Sequence, residues 1–71
     1  MTTRQANGAA IKAIRERSGI TQTRIADACG ISKSMLAHIE AGRRRAPRDT
    51  IHIIADQLGV PVDAISTPPR D

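Results

Sequence analysis

The sequence predicts an all-α fold, a compact single domain of five short helices. Aliphatic residues recur at intervals of three and four, which is the spacing of one helix face. Hydroxyl or amide residues precede these stretches and glycines follow them, as expected at helix ends. The chain has 71 residues and no aromatic side chain. This length allows one domain, and its core must be aliphatic, with isoleucine as the main contributor.

The first helix is predicted over residues 8–17. Asn7 precedes it and is a suitable N-cap, because its side-chain oxygen can accept a bond from a free N–H of the first turn. Ile11 and Ile14 lie on the face that would be buried. Residues 1–6 are polar and are expected to form a flexible N-terminal arm.

The second and third helices are predicted over residues 22–28 and 33–41. Thr21 and Ser32 are the expected N-caps, and Gly30 ends the second helix because a left-handed residue costs glycine nothing. Two helices joined by a turn of a few residues containing glycine form a helix-turn-helix, which presents its second helix to a DNA major groove. The inward faces carry Ile25, Ala26, Cys29, Leu36 and Ile39.

The fourth and fifth helices follow an arginine-rich segment. Residues 43–48 combine a proline with four charges and are expected to form an exposed loop. Residues 49–58 have the spacing of an amphipathic helix. Pro61 suits the first position of a short fifth helix that ends near residue 65. Residues 66–71 are expected to form a flexible tail, so the domain is placed at residues 7–65.

The residues from Thr21 to Gly42 carry a specific resemblance. They begin with a hydroxyl residue and Gln, continue through an Ile-Ala pair and a Gly-Ile-Ser turn, and end with Ile-Glu-x-Gly. At these offsets the sequence resembles the phage Cro/C1-type family of helix-turn-helix DNA-binding domains (XRE-like, lambda-repressor-like), over about residues 11–65. The resemblance implies a five-helix lambda-repressor-like fold. It also implies a sequence-specific regulator of transcription that binds double-stranded DNA, of the phage Cro or immunity-repressor type.

Helix 3 is expected to read bases. Its buried side chains are Leu36 and Ile39, and the residues on the opposite face are either base-reading or simply exposed. Lysine can donate to guanine, serine can bond several base edges, and alanine can touch a thymine methyl. The resemblance implies that Lys33, Ser34 and His38 occupy base-reading positions. The candidates on this face are Lys33, Ser34, Ala37 and His38.

The phosphate contacts are expected around helix 3. The net charge is +4, and the pI near 10.7 favours a polyanionic partner, although a basic protein without such a partner has the same composition. The resemblance implies that Gln22, at the start of helix 2, grips the DNA backbone. An arginine run alone is usually a solvated loop, but beside a reading helix it favours a phosphate clamp. The candidates are Thr21, Gln22, Thr23, Arg43, Arg44, Arg45 and Arg48.

Arg15 and Glu40 each directly follow a predicted buried isoleucine. The resemblance implies a salt bridge between them that ties helix 1 to the end of helix 3. The alternative is two independent surface charges.

Other function classes receive little support from the sequence. No nucleophile constellation, acid/base pair or Cys/His spacing indicates an enzyme, a metal site or a cofactor. Neither a signal peptide nor a membrane span is evident, so we expect a cytoplasmic, nucleoid-associated protein of a bacterial cell. The alternative function is a small antitoxin or protein-interaction module with the same fold. Only residues 66–71 remain to wrap a partner, which disfavours that alternative.

A single recognition helix specifies only a few base pairs, too few for a genome with millions of competing sites. We therefore expect two copies of the domain to bind a pseudo-palindromic operator, with half-sites about one helical turn apart. Because the available contact surface is small, we expect a protein that is largely monomeric in solution and dimerises weakly on DNA. Its contacts are expected from Ile53, Val62 and residues 66–71.

Overall fold

A computed structural model describes residues 5–67. Four α-helices form the domain, and their ends lie within one residue of the predicted ones. A 3₁₀ turn and two very short strands complete the described part of the chain. In chain order the elements are β1 (Gln5–Ala6), α1 (Gly8–Arg17), α2 (Gln22–Cys29), α3 (Lys33–Glu40), α4 (Arg48–Leu58), the 3₁₀ turn (Val62–Ala64) and β2 (Ser66–Thr67).

The helix ends follow the cap residues. A side-chain oxygen at each of three N-caps accepts a bond from a backbone N–H three residues later, which satisfies a first-turn donor that has no partner within the helix. α2 and α4 end at glycines with φ near +69° and +68°, in the left-handed region. The N-cap bonds are Ala10 N to Asn7 Oδ1 (3.1 Å), Arg24 N to Thr21 Oγ1 (3.2 Å) and Met35 N to Ser32 Oγ (3.0 Å).

All four helices contribute to one aliphatic core. Cys29 lies partly buried against it, and burial raises the pKa of its thiol. Ala46 differs from the expectation of an exposed loop, because it is only 8% exposed and belongs to the core. The largest fully buried side chains are Ile11, Ile25, Leu36, Ile39, Ile51, Ile54 and Ile65.

The prediction of a fifth helix over residues 61–65 is wrong. The structure has only one 3₁₀ turn there, closed by bonds from Ala64 N to Pro61 O (2.9 Å) and from Ile65 N to Val62 O (3.1 Å). The turn does not continue as a helix, because the Ile65 carbonyl accepts a bond from Asn7 N (2.8 Å) and the next two residues pair with β1. That bond draws the chain alongside the start of α1.

Two segments differ from the expected flexible arm and tail. Gln5 pairs with Thr67 and Ala6 with Ser66 in an antiparallel two-stranded sheet. The Ser66 hydroxyl donates to Val62 O at 2.6 Å, which holds β2 against the 3₁₀ turn. The fold is therefore helical with one strand pair that joins the two ends of the domain. The outer parts of the arm and tail, residues 1–4 and 68–71, lie outside the described residues.

Gly8 marks a close approach between two helices. It begins α1 and is buried. A Cβ atom at this position would lie 2.5 Å from the backbone oxygen and 2.8 Å from the carbonyl carbon of Glu40, and would also collide with the Ile39 oxygen. The absence of a side chain therefore lets the start of α1 approach the end of α3.

We expect Gly8→Ala to lower the free energy of unfolding by about 2–3 kcal/mol, because backbone atoms must move to admit the methyl group. Helix propensity alone predicts the opposite sign, a gain of about 1 kcal/mol. Urea unfolding measures the difference. Gly59→Asn is the control, since that site is open and Asn tolerates a left-handed backbone. A Gly8→Ala protein as stable as its parent would contradict the close approach.

Candidate nucleic-acid interface

α3 presents a largely polar face opposite its buried side. Leu36 and Ile39 anchor its other side, at 0% and 1% exposure. The opposite face spans an arc of about 140°, given 100° of rotation per residue. Its first residue directly follows the Ser32 cap, so the arc begins in the first turn of the helix. The residues on this face are Lys33, Ser34 and His38, all exposed, and Ala37, which is partly buried.

The arginine loop leaves α3 directly. Gly42 has φ near +76°, and its N–H donates to Ile39 O at 3.1 Å. The N–H of Arg43 donates to His38 O at 2.9 Å, so two backbone bonds close the last turn of α3 and orient the loop. Four arginines then follow within six residues, and every one is exposed. They are Arg43, Arg44, Arg45 and Arg48, the last of which begins α4.

The start of α2 lies beside the end of α3. Thr21 and Thr23 are exposed, and the Thr21 hydroxyl is engaged as the cap. Gln22 is partly buried, and its Nε2 donates to Glu40 Oε1 at 2.9 Å. One N–H of the Gln22 amide is therefore already bonded within the protein, which the sequence interpretation did not foresee.

Arg15 and Glu40 lie in contact between α1 and the end of α3. Arg15 Nε donates to Glu40 Oε2 at 2.7 Å, and Nη2 donates to Oε1 at 3.2 Å. The two residues are 9% and 7% exposed. The hydrogen bond to the carboxylate raises the pKa of Arg15 above its already high ordinary value, although burial opposes that rise. Arg15 Nη1 also donates to Ile20 O at 3.0 Å, which fixes the segment leading into α2.

Sequence reasoning missed the bond between Gln22 and Glu40. The two residues are 18 positions apart, and neither belongs to a periodic pattern that would place them together.

Within residues 5–67, no group of three or more His, Cys, Asp or Glu side chains is placed to hold a metal ion. No helix in the same range is long and apolar enough to cross a membrane.

Comparison with known proteins assigns the family. Residues 11–65 match the model of the HTH_3 helix-turn-helix family. The immunity repressor of Bacillus phage phi105 is 40% identical over 58 residues, which are 82% of this chain. This chain spans only 40% of that repressor's length. The uncharacterized HTH-type transcriptional regulator YazB of Bacillus subtilis (strain 168) is 38% identical over 63 residues, 89% of this chain and 91% of YazB.

A solved structure agrees with this assignment. The crystal structure of SinR, described as the master regulator for biofilm formation in complex with DNA, superimposes with a TM-score of 0.69 and 28% identity. The match covers 80% of this chain and 95% of the SinR chain. The fold, the family model and the similarity to named transcriptional regulators agree with the Cro/C1-type resemblance. The chain therefore belongs to the HTH_3 family of helix-turn-helix domains.

Proposed function

We propose that this chain is a sequence-specific, double-stranded DNA-binding regulator of transcription, of the repressor type. The observation that carries this proposal is the polar face of α3, together with the arginine loop that follows α3 and the start of α2 that contacts its last residue, Glu40. The names of its relatives support the same function, since one is a phage immunity repressor and another an HTH-type transcriptional regulator. Its place of action would then be the bacterial nucleoid.

The dimensions of α3 suit a major groove. With its side chains an α-helix is about 10–12 Å in diameter, and the major groove of B-DNA, roughly 12 Å wide, admits it. The eight residues of α3 are then about 12 Å long within the groove. In this arrangement Lys33 and Ser34, in the first turn, reach furthest towards the base edges. Ala37 and His38 contact bases one turn later. The arginines after α3 and the start of α2 bind phosphates beside the groove.

Selection of bound sequences from random duplex DNA tests the proposed function. The expected result is enrichment of a short motif of a few base pairs, matching the three or four side chains that α3 offers. Recovery of unenriched random DNA would contradict sequence-specific binding and leave only a general affinity for polyanions.

Substitutions of base-contacting and phosphate-contacting residues should change the affinity for DNA in different ways. We expect Lys33→Ala and Ser34→Ala to cost about 1–3 kcal/mol of binding free energy on the selected site, and little on random duplexes. Arg44→Ala is the matched comparison, because a phosphate contact carries no sequence information and its loss should weaken both DNAs alike. Affinities on the two DNAs, measured at one salt concentration, separate the roles. Equal losses for Lys33→Ala on both DNAs would show that α3 does not read the sequence.

Dimerisation on DNA is part of the proposal, and the structure narrows the surface available for it. Val62 packs partly against the core, and Ser66–Thr67 is paired with β1. Ile53 is 36% exposed on α4, with Asp49 one turn before it and Asp56 one turn after it on the outer side. An antiparallel pair of α4 helices centred on Ile53 would bring like charges together. This surface therefore supports only weak self-association.

We accordingly expect a monomer in solution at micromolar concentration and two proteins on each selected site. Sedimentation of the free protein and titration of the selected duplex measure the two stoichiometries. Ile53→Asp should lower cooperativity on DNA without changing the affinity of a single half-site. One protein per site, together with a motif that lacks two-fold symmetry, would contradict the dimer.

A further inference from the structure

The carboxylate of Glu40 joins two side chains of different elements. Its Oε2 accepts from Arg15 Nε at 2.7 Å, and its Oε1 accepts from Arg15 Nη2 at 3.2 Å and from Gln22 Nε2 at 2.9 Å. The carboxylate is buried, so its position is set by the guanidinium and not by water. The position of the Gln22 amide is set in turn by the carboxylate.

This bond determines which way the Gln22 amide faces. A glutamine amide has one accepting and one donating end, and a carboxylate can only accept. The nitrogen of Gln22 must therefore lie on the Glu40 side, where one of its two hydrogens is used. The second hydrogen remains on an amide whose orientation is fixed before any ligand arrives. A phosphate also only accepts, so it needs an amide held in this orientation.

Arg15 also reduces the electrostatic repulsion between Glu40 and an approaching phosphate. An uncompensated Glu40 carboxylate beside Gln22 would repel the DNA backbone, and burial would strengthen that repulsion because screening is weak there. The two bonds from Arg15 to both carboxylate oxygens offset this charge. The pair can therefore orient Gln22 without presenting a net negative charge to DNA.

We infer that Glu40, held and neutralised by Arg15, is a positioning residue that orients the Gln22 amide for a DNA phosphate. This inference rests on the proposed function. It assigns to the buried pair a part in DNA binding in addition to its part in the fold.

A double-mutant cycle on the selected duplex tests the inference. Gln22→Ala should weaken binding roughly tenfold, the loss expected for a hydrogen bond to a charged group. Glu40→Gln should weaken it by a similar factor in the parent and by less than twofold in the Gln22→Ala background. Losses that simply multiply would show that Glu40 acts through the fold and not through Gln22. Gln57→Ala, on α4, is the control and should bind as the parent does.

Glu40→Gln leaves Arg15 without its anion and can unfold the domain, so a second variant is needed. Arg15→Met/Glu40→Met removes both charges, and such replacements are often neutral for stability. It should fold, bind about tenfold more weakly than the parent, and lose nothing further on Gln22→Ala. Parent-like affinity of this variant would overturn the inference.

NMR of the free protein keeps this test separate from that of the proposed function. The side-chain amide protons of Gln22 should be shifted and slow to exchange in the parent, and neither shifted nor slow in Arg15→Met/Glu40→Met. A parent that binds no duplex DNA would refute the proposed function, although its Gln22 signals would still report the bond to Glu40. A parent that binds DNA but has a freely exchanging Gln22 amide would refute the inference alone.

Discussion

Arg15→Ala should lower the free energy of unfolding by about 3–5 kcal/mol, because it leaves the Glu40 carboxylate buried without a cation. The variant also removes the donor to Ile20 O and loosens the segment before α2. A domain of 71 residues is expected to have a total stability of roughly 4–10 kcal/mol. This single change should therefore remove a large share of the free energy of unfolding and clearly lower the melting temperature.

Urea unfolding followed by circular dichroism measures the effect. Arg17→Ala is the matched control, since Arg17 lies on the same helix but is exposed, and its loss should change stability by less than about 0.5 kcal/mol. Arg15→Met/Glu40→Met should be clearly more stable than Arg15→Ala, because no buried charge then lacks a partner. Equal, small effects of Arg15→Ala and Arg17→Ala would mean that the pair does not hold α1 to α3.

The helices and their ends were predictable from the sequence because their signals are local. Asn7, Thr21 and Ser32 cap helices through bonds that reach only three residues along the chain. Gly30 ends α2 through its own backbone conformation. Aliphatic spacing then identifies the buried faces without knowledge of the partners. The helix-turn-helix follows, since its two helices are adjacent in sequence.

The features that sequence reasoning missed depend on contacts between distant segments. In the sequence Gly8 resembles any residue at the start of a helix. Only the nearby backbone carbonyls of Ile39 and Glu40 show why a side chain is excluded there. The pairing of Gln5 with Thr67 joins the two ends of the domain across 62 positions, and two-residue strands carry no alternation to detect. The bond from Gln22 to Glu40 is of the same kind. The surface position of the candidate residues on α3 and in the arginine loop was predictable, because it follows from helix phase and from the proline in the loop, but their roles in DNA binding are predictions.

The affinity for duplex DNA should fall about a thousandfold between 50 and 200 mM salt. Six exposed cations lie on α2, on α3, in the following loop and at the first residue of α4, namely Arg24, Lys33, Arg43, Arg44, Arg45 and Arg48. If about five or six phosphates are neutralised, log K falls with log salt at a slope near −5, because the displaced counterions enter bulk solution. Titrations at several salt concentrations on the selected duplex give this slope directly.

Removing charges from the arginine loop tests whether the salt dependence of binding comes from that loop. Replacing Arg43, Arg44 and Arg45 together with Gln should make the slope shallower by roughly 2–3, since each lost phosphate contact removes about 0.9. Arg17→Gln removes an exposed charge on α1 and should leave the slope unchanged, although it alters the net charge by the same amount per residue. An equal change per charge at both places would mean that DNA responds to the net charge of the protein. A shallow slope in the parent would contradict the phosphate clamp itself.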